Sequence, residues 1–358
     1  MGRVVYTTRE AVADAFDVRE SANRFAQVDS AIASASDDID GWLNRHKHGV
    51  APTRATRYFD FPDSQYTAPY RVWFEENEAV SITTFTVAGT DLVEGTDYFL
   101  EPVNSGPPYT YAEINRSGSA TLSNNGTPQR AIAATGVFGL GDDQDPAGTL
   151  VGGVNASVTA LTVSDGSLVG VGSVLSLGDE RVAVTGRNSA STGQTIQADL
   201  DDLDSDTTVA VADGTAIHPG ETITVGSERM RVITTVGNSL TVERAVEGST
   251  LAAHTTGATV YADRALTVER AVLGTTAASH SDALALTKWR VPDLIEALCR
   301  AEAISRLEQE WSAYGARVYS DEAERDSSGT EVVAGRGLTD IRKSAARRYK
   351  RKFRKRAV

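Results

Sequence analysis

The sequence predicts an α+β chain: a helical core with a small β region, interrupted by an inserted all-β repeat module, and ending in a basic C-terminal tail. Three observations lead there. Apolar residues recur at helical spacing near both ends of the 358-residue chain. Short β-prone runs broken by turn residues fill the stretch that follows the first helices. The middle repeats itself at offsets of 48 and 26 residues. The expected divisions are 1–141 (helices, then β region), 142–290 (inserted repeat module), 291–320 (C-terminal helix of the core) and 321–358 (linker and basic tail).

Thr7 or Thr8 can N-cap a short helix running to Val18, with Glu10 in its first turn. A longer helix is expected from Glu20 to Lys47. Its apolar positions Phe25, Val28, Ile32, Ala35, Ile39 and Trp42 step by three and four, a coiled-coil-like seam. Burying the large side chains of that seam is worth roughly 1.5–3 kcal/mol each. Asp29, Asp37, Asp38 and Arg45 mark the wet face, and Gly49 with Pro52 ends the helix. His46 and His48 flank Lys47 at that end and read as cationic complements to the helix dipole.

From Thr53 to Gly141 the runs Arg57-Tyr-Phe-Asp-Phe, Arg71-Val-Trp-Phe, Ala79-Val-Ser-Ile-Thr-Thr-Phe-Thr-Val and Asp97-Tyr-Phe-Leu read as strands. Beyond Asp142 the grammar changes. Leu161-Thr-Val-Ser-Asp-Gly, Gly172-Ser-Val-Leu-Ser-Leu-Gly and Glu180-Arg-Val-Ala-Val recur as Val209-Ala-Val-Ala-Asp-Gly, Gly220-Glu-Thr-Ile-Thr-Val-Gly and Glu228-Arg-Met-Arg-Val. Leu240-Thr-Val-Glu-Arg-Ala-Val-Glu-Gly pairs with Leu266-Thr-Val-Glu-Arg-Ala-Val-Leu-Gly, and His254 and His280 fall at matching places behind them. Alternation with Gly-punctuated turns indicates small barrels or sandwiches. Helix returns with Pro292 at N1, and Leu294, Leu298, Ala301, Ile304, Leu307 and Trp311 mark one face. Asp321 to Gly337 reads as a polar linker; in the tail, Ile341, Ala345, Tyr349 and Phe353 follow at four-residue steps.

Charge is unevenly distributed. The chain holds 35 Lys plus Arg against 48 Asp plus Glu, yet Arg342 to Val358 carries ten basic side chains and no acid. The remainder has a net charge of −23 and only two lysines. Set against an ordinary acidic mesophile protein, the preferred reading of this acidic, Lys-poor composition is a halophilic protein that stays soluble in concentrated salt. There the Debye length shrinks to ~3 Å, so charges act at contact range. The single Cys299 excludes an intrachain disulfide and a multi-thiolate metal site. P-loop, nucleophile-elbow and zincin signatures are absent, so neither enzyme activity nor a cofactor or metal is expected. The acidic run Asp199 to Asp206 lacks the Gly and distal Glu of an EF-hand loop and reads as solvated surface. No apolar run is long enough to span a bilayer, and no membrane partner is expected.

Outside the repeats, the order of elements resembles the head–tail connector (adaptor) family of tailed phages and archaeal tailed viruses. The resemblance is carried by Ala31-Ile-Ala-Ser-Ala-Ser-Asp-Asp-Ile-Asp-Gly-Trp-Leu, Thr56-Arg-Tyr-Phe-Asp-Phe-Pro, the stretch from Val80 to Asp97-Tyr-Phe-Leu, Gly106-Pro-Pro-Tyr, Arg130-Ala-Ile-Ala-Ala-Thr-Gly-Val-Phe-Gly-Leu-Gly, and Val291-Pro-Asp-Leu-Ile-Glu-Ala-Leu-Cys-Arg-Ala. It covers roughly Tyr6 to Gly141 and Val291 to Tyr314. It implies a structural virion protein of the neck, assembled in the host cytoplasm as a ring of about twelve copies beneath the portal. Its partners would be other copies of itself, the portal protein, a tail or head-completion protein below, and the double-stranded DNA passing through. By the same resemblance Phe25, Val28, Ile32, Ile39, Trp42, Leu294, Leu298, Ile304 and Leu307 form core within and between subunits. Arg347, Arg348, Lys350, Arg351, Lys352, Arg354, Lys355 and Arg356 are the candidate portal or DNA contacts, and the β insert projects outward. The alternative is a surface adhesin or glycan-binding protein whose function lies in the repeats.

Overall fold

The computed structural model describes residues 4–15, 22–61, 70–74, 78–115, 117, 126–312 and 336–351. It corrects the expected balance of the fold, which is mostly β: strand accounts for 39% and helix for 20%. The helices hold one of four buried apolar clusters, and the other three lie within sheets. Most strands are only three to seven residues long. Each of these short strands buries at most four residues, so none weighs much in the sequence beside a 21-residue helix. Together they bury most of the core.

Four α-helices stand among the described residues: α1 (Arg9–Ala15), α2 (Ala22–Trp42), α3 (Asp293–Ser312) and α4 (Arg336–Tyr349). Thr8 caps α1, its hydroxyl accepting the Ala11 N–H at 3.2 Å. The helix α2 stops at Trp42, five residues before the expected Lys47, and its end does not use the histidines. Asn44 takes a left-handed φ of 57°, its N–H bonds the Gly41 carbonyl, and the Arg45 N–H bonds that of Asp40. This is a Schellman cap with Asn at C′. The Asp40 carboxylate then accepts the His48 N–H at 2.6 Å and fixes the turn. Pro292 lies one place outside its expected N1, because its carbonyl already accepts the Glu296 N–H. Arg336 and Gly337, read as linker, open α4; 313–335 lie outside the described residues.

Strands β1 (Thr53–Phe59), β2 (Tyr70–Trp73), β3 (Ala79–Val87), β4 (Thr90–Leu92), β5 (Tyr98–Glu101), β6 (Tyr111–Ile114) and β7 (Ile132–Phe138) form two antiparallel sheets. Their orders are β1-β7-β3-β4 and β2-β6-β5. The two sheets share one core, in which Phe85 stacks on Tyr98 with ring centroids 4.7 Å apart.

The repeats form two barrels that share strands. The strands are β8 (Gln144–Thr149), β9 (Ala160–Thr162), β10 (Val174–Leu177), β11 (Glu180–Thr195), β12 (Thr208–Ala210), β13 (Thr222–Val225), β14 (Glu228–Val236), β15 (Ser239–Glu243), β16 (Thr259–Glu269) and β17 (Ala285–Trp289). The first unit runs β9, late β16, early β11, β10, β17, β8. The second runs β12, β15, β14, β13, early β16, late β11. Bridges Leu150 to Val163 and Ile196 to Val211 join the outer strands and close each unit. The second barrel is thus inserted into the β11–β16 hairpin of the first, and each keeps its own apolar cluster.

The first barrel packs into the helical layer. Its Val174, Ala183, Val272, Leu273 and Trp289 belong to the helical cluster. The Arg54 N–H at the start of β1 bonds the Leu273 carbonyl at 2.8 Å. Gly274, at φ 76°, lets that approach happen, since a Cβ there would sit 2.0 Å from the Arg54 carbonyl oxygen. On the other flank the Glu10 carboxylate accepts the Val171 N–H at 2.8 Å and meets Arg187 at 3.2 Å.

Candidate assembly surface on the helical layer

Helices from opposite ends of the chain meet in one layer. Val28, Ile32 and Ile39 of α2 are buried against α3, as are Leu298 and Leu307 opposite them. Trp42, Leu294 and Ile304 are half-buried at the margin of the same cluster. Phe25 lies farther out, beneath the Arg9 guanidinium of α1 at 5.0 Å from its ring centroid. The buried stripe of α3 is rotated from the one expected. Ile295, Cys299 and Ala303 are fully buried, while Leu294, Ala301 and Ile304 are only partly so.

Several buried polar groups of the layer bond one another. Tyr6 donates its hydroxyl to Asp40 Oδ1 at 2.6 Å and its N–H to Ser36 Oγ at 3.1 Å. Burial pushes the Asp40 carboxyl up to about 6, even though Tyr6 and His48 donate to its charged form. The Cys299 thiol lies 3.4 Å from Ser36 Oγ, and burial drives it up to about 11. Such a thiol is packing, not a nucleophile.

Helix α4 covers the α2–α3 groove. Ala345 is fully buried; Leu338, Ile341 and Tyr349 pack beside it. Arg342 pairs with Glu302 of α3, leaving a cleft of about 300 Å³ lined by Asp38, Ile39, Trp42, Leu298, Glu302 and Arg342. The far end of α4 is tied to the turn after α2. Arg351 donates its N–H to the Leu43 carbonyl at 3.0 Å, and Asn44 Nδ2 donates to the Arg351 carbonyl at 3.0 Å. Arg45 donates to the Tyr349 carbonyl at 3.1 Å while its other nitrogen meets Glu78 at 2.5 Å. Of the tail candidates, Arg347, Arg348 and Lys350 are exposed on α4 and just beyond it, and Arg351 is half-buried at the turn. Lys352, Arg354, Lys355 and Arg356 lie outside the described residues. Exposed His46 and Lys47 follow the tied turn, so cations from both ends of the chain share one region. Sequence spacing carried no signal of that.

Each barrel carries the same buried ionic triad. In the first, Glu180 accepts Arg270 Nε and Nη2, both at 2.7 Å, and lies 2.9 Å from His280 Nε2. Its carboxylate also takes the Ala271 and Ala278 N–H groups. In the second, Glu228, Arg244 and His254 repeat the set at 2.7, 2.8 and 2.9 Å, with Ala245 and Ala252 supplying the amides. Burial alone would raise the Glu180 carboxyl, but the bonds from Arg270, His280 and Ala278 outweigh it and hold it at about 2. Arg244 also donates to the Asp201 and Asp206 carbonyls at 3.0 Å, so the acidic run is a latched loop. Among the described residues no cluster of His, Cys, Asp and Glu is placed to hold a metal ion. With every polar atom of the carboxylates engaged, these triads are internal latches that pin the loops after β15 and β16.

Comparison with family models, with curated proteins and with solved structures yields no match.

Proposed function

We propose that the chain is a non-enzymatic assembly protein, a head–tail connector subunit that forms a ring under the portal of a tailed virus. One observation carries the reading. Helices separated by some 250 residues of sequence form a single layer whose outer member, α4, is cationic, on a body that is otherwise acidic. The barrels extend from that layer, the first packed into it and the second held, among the described residues, through its neighbour and α1. A layer of this kind suits packing between copies around an axis, with the basic end of each chain presented to a portal groove or to DNA. The buried triads of the two barrels support the same reading, since each is closed on its own Glu, Arg and His. Size-exclusion chromatography with light scattering, run in high salt with and without portal protein, tests it. A ring, alone or on adding portal, is expected, with density for the chain at the particle neck. A stable monomer that binds glycans would overturn it in favour of an adhesin.

A further inference from the structure

The α2–α3 groove takes helix α4, and the details of that contact point to where α4 comes from in an assembly. Ala345 is the one α4 side chain fully buried among the described residues; Leu338, Ile341 and Tyr349 pack beside it only partly buried, and Arg342 pairs with Glu302 over a cleft of about 300 Å³. The groove is acidic at its lip, with Asp38 and Glu302, whereas α4 presents Arg342, Lys343, Arg347 and Arg348. Between Ser312 and Arg336 lie 23 residues. Antiparallel helices in a bundle are joined by about 2–8 residues. A 23-residue connection has a contour length of about 80 Å, far more than folding α4 back onto its own α3 requires.

From these observations we infer that α4 docks in the α2–α3 groove of a neighbouring copy, each chain giving its helix and receiving another. It takes from the connector reading only that copies stand side by side. The exchange keeps every contact described above, so it costs no packing. It also answers an electrostatic problem. Bodies of net charge −23 repel one another, and a tail of ten cations passed between them bridges like charge with unlike. At high salt the bridge acts only at contact range, where the Arg342–Glu302 pair operates.

The test uses two full-length single variants, Glu302→Cys and Arg342→Cys. Cys299 is buried and stays out of the reaction. Each variant is purified, the two are mixed under conditions where the wild type is oligomeric, and the mixture is oxidised mildly. A reducible disulfide-linked dimer containing one of each chain is expected to take up about half of the protein, the share that random 1:1 assembly allows. The doubly substituted chain should give a ladder of linked multimers. If the mixture gives no covalent dimer and the double variant closes only within single chains, the exchange is overturned. Removing 336–358 provides a second readout that does not depend on cysteine chemistry. The shortened chain should lose from its circular dichroism only the helical signal of α4 and should lose self-association; unchanged assembly overturns the inference. Loss of the exchange with rings still seen at particle necks would leave the connector reading standing, whereas a wild-type chain that never self-associates would remove both.

Discussion

Replacing Glu228 or Glu180 by Gln should be among the most damaging conservative changes in the chain, and the two should differ in reach. The Glu228 carboxylate accepts five donors: two from Arg244, one from His254 and the amides of Ala245 and Ala252. Its side chain and that of Arg244 are both 0% exposed. An amide keeps the shape but removes the charge, and it turns an NH₂ group toward N–H donors. The guanidinium is left buried without a counter-ion, a defect that costs about 3–5 kcal/mol. Native stability is typically about 5–15 kcal/mol for a whole domain, so a loss of that size unfolds a barrel of this size locally. The second barrel has its own core and is inserted in a hairpin, so Glu228→Gln should open it while the helical layer holds. The first barrel shares Val272, Leu273 and Trp289 with the helices, so Glu180→Gln should lower the main transition itself. Urea unfolding followed by circular dichroism, with hydrogen exchange resolved by peptide, separates the outcomes. If both variants lose under about 1 kcal/mol, or if the second barrel's amides exchange no faster in Glu228→Gln, the latch argument is wrong.

Asp40 gives a pH dependence of the opposite sign to Glu180. Its folded value of about 6 stands above the unfolded 3.8, so the native state binds more protons between them and stability falls as pH rises through that window, by about 3 kcal/mol in all. Asp40→Asn should flatten the denaturation midpoint between pH 4 and 6. Glu180, held at about 2 against 4.5, adds stability that is complete above pH 4.5 and lost as pH falls toward 2; Glu180→Gln should remove that acid-side loss. Leu298→Ala, emptying the α2–α3 seam, should cost about 2–5 kcal/mol in urea titration. Cys299 should resist a thiol reagent in the folded protein and react fully in denaturant; fast native labelling would contradict its burial.

The seam of α2 was legible in the sequence, whereas the mostly β balance of the fold was not. The α2 seam reads off the three-and-four spacing of Val28, Ile32 and Ile39 because those positions have no other work than burial. The rotation of the α3 stripe was not legible, since Cys299 and Ala303 are small and weigh little in an apolar pattern, yet close approach to Ser36 and Ile32 selects small residues there. The end of α2 was misplaced because an Asn in the left-handed region caps a helix as effectively as a Gly, and Asn44 looks unremarkable among the charges around it. Each triad residue was visible as a repeated position, including His254 and His280. What joins Glu180 to Arg270, ninety residues on, is the return of β16 along β11, a pairing that the repeat offsets imply only once the second barrel is recognised as an insertion. The tie between the α2 turn and Arg351 spans some 300 residues and left no local trace.

The duplication also explains why the two barrels are placed differently. Under the repeat offsets, the first barrel's Val174, Ala183, Val272, Leu273 and Trp289 correspond to Thr222, Arg231, Val246, Glu247 and Asp263 in the second. The first set is apolar and sits in the helical cluster. In the second set only Val246 stays apolar, and the face is bound by ions: Arg229 meets Glu247 at 2.6 Å and Asp263 at 2.5 Å, and Arg231 reaches Asp14 of α1 at 2.7 Å. The same backbone therefore carries two surface chemistries. A face buried against helices loses free energy if it keeps unpaired charge, whereas a face in contact with water tolerates charge at little cost. The second barrel's twin face is buried or half-buried and is closed by ion pairs within the barrel and to the N-terminal helix instead of by an apolar contact. The ion pairs that join the second barrel to α1 weaken with salt, while the first barrel is fastened by apolar contact to the helical layer.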